Sequence, residues 1–493
     1  MKHLKKLVSL VLTVVMVLAM CIPVMADDAA TTACKITAPA TTHIYEIYQI
    51  FTGDLHDGTL SNVKWGSNGT GVTGAPVDAA ILNTLNSLNT KTDTEILDEI
   101  KNHINLTNPV AEITNGAIYS AVPGYYLIKD KDGSLSGVET YTKYIVKVIG
   151  DLTIQPKAGQ PSFEKKLKDT NDTTGNTSGW QDSADYDIGD MVPFKLEGTV
   201  APNYDAYKTY YFAFHDVEEE SLTFQENTVE VFVDGTKITS GYTVTTGTTD
   251  GCTFEVIFNN LKEIDAVKAG SKVTVTYKSE LNNKAVLGKD GNVNKAKLEF
   301  SNNPNSEQVG KPDKPGETPW DNVIVFTYKV VVNKYANSVS EANKLTGAEF
   351  TLSKKLKDGT TKNIAVVKSE DGTSFTFKGL DDGDYILTET KTPDKYNTIS
   401  PITFTVTAGH DILWTSQGRD EVLTSLSGNA ASGEITFTTN DAFELSTDVI
   451  NKSGSQLPET GGIGTTIFYV VGVVLMLGAG VLLITKRRMS AKH

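Results

Sequence analysis

Cysteine is almost missing from this chain, with three in 493 residues. Cys21 falls in the N-terminal apolar run, and Cys34 and Cys252 are far enough apart to be expected in different domains. No disulfide is therefore expected, and a chain of this size built without one outside the cytosol needs another brace. Histidine is scarce as well: seven are scattered along the chain with no metal-ligand spacing, so neither a metal nor another cofactor is expected. Positive charge is in deficit, 45 Lys and Arg against 60 Asp and Glu, a net charge of −15 with no basic patch. That balance argues against nucleic-acid binding. No residue pattern suggests an enzyme acting on outside substrates. Long hydrophobic runs are absent except at the two ends.

The N-terminal run is preceded by Lys2, Lys5 and Lys6, extends from Leu7 to Met20, and is broken by Pro23. Val24-Met25-Ala26 supplies small residues at a signal-peptidase spacing, which predicts a secretory signal peptide over 1–26, cut after Ala26. A lipoprotein signal is excluded because Met20 is too bulky for the position before a lipidated cysteine. The second run, Ile467 to Ile484, is long enough to cross a bilayer, and Lys486, Arg487 and Arg488 follow it. Positive charge stays on the cytoplasmic side, so the bulk of the chain lies outside. Just before this run stands Leu457-Pro458-Glu459-Thr460-Gly461. The pentapeptide, apolar span and basic tail over 457–493 together resemble the cell-wall sorting signal of Gram-positive surface proteins. The resemblance implies that a sortase cuts between Thr460 and Gly461 and passes the Thr460 carboxyl to an amine, such as one in peptidoglycan.

Between the ends, short apolar runs alternate with polar residues and are punctuated by Asp-Gly and Asn-Gly pairs. That pattern predicts an all-β protein of tandem immunoglobulin-like sandwiches. The exception is Ala79 to Ile104, where Ile81, Leu82, Leu85, Leu88, Ile96, Leu97, Ile100 and Ile104 recur near helical spacing. Some helix is therefore expected in the first domain. The stretches Gln155–Pro161 and Lys311–Pro319 read as linkers. They give three domains, 27–156, 160–310 and 320–452, with no short internal repeat.

Strand alternation places charge where apolar side chains should be. Tyr328, Val330, Val332 and Lys334 share a face; so do Tyr385, Leu387 and Glu389; so do Phe443, Leu445, Val449 and Asn451. Burial lowers the pKa of a lysine and raises that of a carboxyl. The proton can then rest on Glu389, leaving Lys334 a neutral nucleophile for the Asn451 carboxamide. Parity alone equally allows a buried, hydrogen-bonded Lys–Glu pair beside an unreacted asparagine. In the middle domain, Phe163, Lys165 and Leu167 are in phase, as are Phe212, Phe214 and Asp216, and Asn294, Ala296, Leu298 and Phe300. A Lys165–Asn294 bond assisted by Asp216 is the expectation, with Lys166 and Asn292 as alternatives. The first domain shows no comparable triad, and Asp130-Lys131-Asp132-Gly133 reads as a hairpin turn.

Two motifs carry a family resemblance. Tyr385, Leu387, Glu389, Thr390, Pro393 and Tyr396 resemble the pilin E-box, and Leu345-Thr346-Gly347-Ala348-Glu349-Phe350 resembles a strand of collagen-adhesin B-type domains. Tyr186–Phe194 and Phe300–Pro304 are similar to the second domain of Gram-positive backbone pilins. The chain is thus identified as a member of the sortase-assembled major pilins. The resemblance implies self-catalysed isopeptide bonds inside the third and middle domains. It also implies an acceptor lysine at the end of the first domain, in a Tyr-Pro-Lys type motif. Here Gln155-Pro156-Lys157 stands in that place, and Pro156 keeps Lys157 out of a sheet interior. Lys143, Lys147 and Lys165 are the competitors. The expected role is a structural shaft subunit on the surface of a Gram-positive cell, joined Thr460 to Lys157 of the next copy. Its partners would be further copies of itself, a sortase, peptidoglycan, minor pilins and any host ligand. A monomeric wall-anchored adhesin or a minor tip pilin is the alternative.

Overall fold

The computed structural model describes residues 33–454 and 463–490, except 57–58, 89–90, 136, 138, 143, 149–150, 156–158, 249, 416–417 and 432–434. The expected signal peptide, Lys143, the acceptor Lys157 and the sorting pentapeptide Leu457–Gly461 lie outside the described residues.

Strands dominate, as the alternation requires. The first domain has a three-stranded sheet with Cys34–Thr37 at its centre and a five-stranded sheet built on Ile44–His56 and Gly124–Asp130. Its helical segment is two helices, Ala79–Ser87 and Asp93–Ile100. Asp78 caps the first by accepting from Ala80 N. Thr92 and Glu95 form a reciprocal capping box on the second. Leu85, Leu97, Ile100 and Ile104 turn inward from this segment, which is the face its spacing marked out.

The middle domain pairs a five-stranded sheet with a seven-stranded one. In the first, Ser162–Leu167 lies beside Met191–Thr199, which lies beside Lys272–Leu281. In the second, Phe212–Glu218 is flanked by Phe254–Phe258 and Asn292–Phe300. Asp234 and Gly235 both have positive φ between the strands Leu222–Val233 and Thr236–Ile238. That conformation is what a two-residue hairpin demands, and it explains the Asp-Gly pair.

The third domain has two five-stranded sheets. Its opening strand, Tyr328–Ala336, runs parallel to its closing strand, Leu445–Asn451. The strand before it, Asp321–Phe326, serves two cores. It completes the seven-stranded middle sheet against Asn292–Phe300. Val323 and Val325 pack into the middle core, while Ile324 and Phe326 pack into that of the third domain. The strand that follows the stretch 311–319 is therefore shared by the middle and third domains. The prolines of 311–319 mark a turn back onto the middle domain, where Gly316–Glu317 pairs with Phe300 and Glu299. At the far end, Ile463–Ser490 is a single helix whose segment Phe468–Arg487 has a mean hydropathy of 2.4.

Candidate functional sites: two buried lysines

In the third domain the burial pattern of Tyr328–Ala336 alternates strictly, and Lys334 falls on the inward phase with no exposure. Asn451 falls on the inward phase of the adjacent parallel strand, where its register partner is Ala336. Glu389 reaches in from Gly383–Lys391 in the facing sheet. Lys334 Nζ lies 3.7 Å from Glu389 Oε1 and 3.4 Å from the Val449 carbonyl. Asn451 Nδ2 donates to Glu389 Oε2 at 3.0 Å and to the Asn397 carbonyl at 2.8 Å. Glu389 Oε2 also accepts from Thr392 Oγ1 and the Ile399 amide. Among the described residues, Glu389 Oε1 and Asn451 Oδ1 are buried with no hydrogen-bond donor. Burial pushes the Lys334 amine down to about 8, with Glu389 pulling the other way. The structure thus gathers a lysine with a lowered amine, a carboxyl and a carboxamide in one buried group.

The middle domain builds a similar group from different strands. Lys165, Asp216 and Asn294 are all fully buried. Lys165 Nζ is 2.5 Å from Asp216 Oδ2. The Tyr277 hydroxyl, 2.7 Å from Lys165 Nζ, donates to the same carboxylate oxygen at 2.7 Å. Asn294 Nδ2 donates to Tyr277 Oη at 2.9 Å and to Glu218 Oε1 at 3.3 Å. Asn294 Oδ1 has no donor among the described residues. Burial lowers the lysine and raises Asp216. Burial, with the charge of Asp216 adding to it, lifts Glu218 to about 8. Of the alternatives, Lys166 Nζ points elsewhere and pairs with Asp182 at 2.6 Å. The Asn292 carboxamide braces backbone at Val286 and Val325.

Two members of the middle site escaped the sequence reading, Tyr277 and Glu218. Both were accessible to it: Glu218 continues the Phe212, Phe214, Asp216 phase, and Tyr277 follows Val273 and Val275 inward. The first domain has a buried lysine too, Lys129, but it is ion-paired to Glu46 at 2.7 Å and to Asp132 at 3.2 Å.

Tandem β-sandwiches, buried Lys–carboxyl–Asn groups and a C-terminal apolar helix with a basic end define a modular surface protein held at the cell wall. Comparison with known proteins sharpens that class. Residues 329–418 match the SpaA family, a prealbumin-like fold domain, and residues 450–490 match the LPXTG cell wall anchor motif. The chain is 27% identical over 400 residues to the trypsin-resistant surface T6 protein of Streptococcus pyogenes, covering 67% of this chain and 70% of that one. Its fold is similar to that of the T6 backbone pilin of S. pyogenes, at a TM-score of 0.53 and 20% identity, over 87% of this chain and all of the other. It is also similar to the major pilin SpaD of Corynebacterium diphtheriae, at 0.50 and 18%, over 87% and 99%. In sequence and fold the chain is thus similar to Gram-positive backbone pilins, and its C-terminal residues match the cell wall anchor motif.

Proposed function

We propose that copies of this shaft pilin are joined head to tail by an amide between Thr460 of one subunit and Lys157 of the next. A sortase thiol would displace Gly461 from the Thr460 carbonyl. The Lys157 amine would then displace the thiol, so one peptide bond is exchanged for one isopeptide bond. The last subunit would be passed to a peptidoglycan amine in the same way. Such heterologous joining does not close on itself and yields an open filament.

Within each subunit, Lys334 would attack Asn451 and Lys165 would attack Asn294. In each case the amine first gives its proton to the carboxyl, Glu389 or Asp216. Nζ then bonds to the carboxamide carbon, the carboxyl proton passes to the leaving nitrogen, one ammonia departs, and the carboxylate takes the second Nζ proton. The observation that carries this reading is the pair of fully buried lysines, each beside a carboxyl and sharing a partner with an asparagine whose carbonyl has no donor among the described residues. A buried charge pair is a poor source of stability. A covalent bond between the first and last strands of the third domain would instead carry tension along the shaft.

Immunoblotting of wall extracts tests the assembly. A shaft pilin gives an SDS-resistant ladder, whereas a monomeric adhesin gives one wall-linked species and would overturn the proposal.

A further inference from the structure

His215 faces away from the middle core, because Phe212, Phe214 and Asp216 take the inward phase of its strand; yet it has no exposed surface. The turn that follows Thr243–Thr246 covers it. In that turn Asp250 Oδ1 accepts from Thr248 Oγ1 at 2.6 Å and from the Cys252 amide at 3.1 Å. Its other oxygen, Oδ2, is left 3.0 Å from His215 Nδ1 and 3.4 Å from Cys252 Sγ. Glu255, the register partner of His215 on Phe254–Phe258, places Oε1 2.8 Å from the same Nδ1. Cys252 Sγ is 3.5 Å from it. The four ligand atoms, one nitrogen, one sulfur and two oxygens, all lie within 4.8 Å of one another.

We propose that His215, Asp250, Cys252 and Glu255 form a binding site for a borderline divalent transition ion of the Zn²⁺ class. Bond lengths of about 2.0–2.3 Å to N, O and S ligands imply tetrahedral edges of roughly 3.3–3.7 Å. Four of the six separations here, 2.8 to 3.5 Å, need change by about half an ångström or less, and the other two lie within 4.8 Å. The nitrogen and sulfur donors select against Ca²⁺ and Mg²⁺, which take oxygen. The other ring nitrogen, Nε2, is 3.1 Å from Glu299 Oε2. The two are near each other without a hydrogen bond; a small turn of the ring would make the carboxylate its partner, which at established zinc sites fixes the imidazole and raises its basicity. On binding, the Cys252 thiol releases its proton to solvent as the sulfur–metal bond forms. The ion, a thiolate, two carboxylates and a neutral imidazole sum to −1. Glu299 is itself paired to Lys311 at 2.7 Å, which offsets its charge beside the site.

No sequence motif marks this site because its ligands come from two segments, with His215 and Asp250 35 residues apart. Bound metal would brace a domain that has no disulfide, and would occupy a thiol otherwise open to oxidation outside the cell.

The test uses the wall-released chain, stripped with a chelator and titrated with Zn²⁺. One equivalent should bind, with affinity reduced more than about tenfold by Cys252→Ser and by Asp250→Asn. The second change lies in a partly exposed turn and spares the core. Glu299→Gln should weaken binding about 10- to 100-fold without removing a ligand. Zn²⁺ should also slow alkylation of Cys252 while leaving the Cys34 peptide as an unchanged internal control. Failure to bind one equivalent, affinity unchanged in both ligand variants, or alkylation of Cys252 indifferent to Zn²⁺ would each overturn the proposal.

Discussion

Lys165 and Asn294 meet at one hydroxyl: Tyr277 Oη is 2.7 Å from the lysine Nζ and 2.9 Å from the asparagine Nδ2. The same hydroxyl donates to Asp216, so one phenol aligns nucleophile, acid and carboxamide. Stacking of the ring against Phe194 at 5.3 Å holds it in place.

Tyr277→Phe should therefore slow the middle-domain bond without abolishing it. Freshly made protein would be a mixture of two masses about 17 Da apart, the mass of one ammonia. Asp216→Ala should leave the heavier species alone. Equal and complete bond formation in both variants would assign proton transfer to Glu218 instead.

The third-domain lysine predicts a pH dependence. Lys334 is held down to about 8 in the fold against an ordinary value of 10.5, mainly by burial. Between those values the unfolded chain binds more protons than the folded one, so stability rises with pH across that window and is flat below it from this group. The effect belongs to the unbonded state and is read in Asn451→Ala. Its urea midpoint should rise from pH 8 toward 10.5, and that rise should vanish in Lys334→Met, Asn451→Ala. An equal slope in both variants would contradict a depressed amine.

Much of this was legible because strands alternate. Lys334, Glu389, Asn451, Lys165, Asp216 and Asn294 were expected inward on parity, and all six are buried. Parity fails where a strand is covered on both faces. Asp321–Phe326 has Val323 and Val325 on one core and Ile324 and Phe326 on the other, so it reads as a continuous apolar run and not as the property of either domain. Parity also marks His215 as outward, which is correct, but says nothing of the turn that closes over it. The prolines near 315 signalled a break in regular structure. Whether the chain then leaves or folds back depends on pairing partners that no local pattern encodes.

Polymerisation through Lys157 predicts that Lys157→Ala removes the ladder yet leaves wall-linked monomer, since Thr460 is untouched. Lys157→Arg should behave the same way, because a guanidinium stays protonated and is no usable nucleophile. Deleting Leu457–Gly461 is the complementary control: both ladder and wall attachment should be lost. A ladder that persists in both Lys157 variants would assign the acceptor to another lysine, and Gln155 in place of the usual tyrosine would be the reason.

The intact mass of the monomer released from the wall of a Lys157→Arg strain tests the covalent account most directly. Each internal bond removes one ammonia, about 17 Da. After the residue change and the wall fragment are counted, the deficit should equal two such losses, and Glu389→Ala should restore one of them. A mass equal to that of the plain sequence would contradict the claim that the buried lysines are bonded.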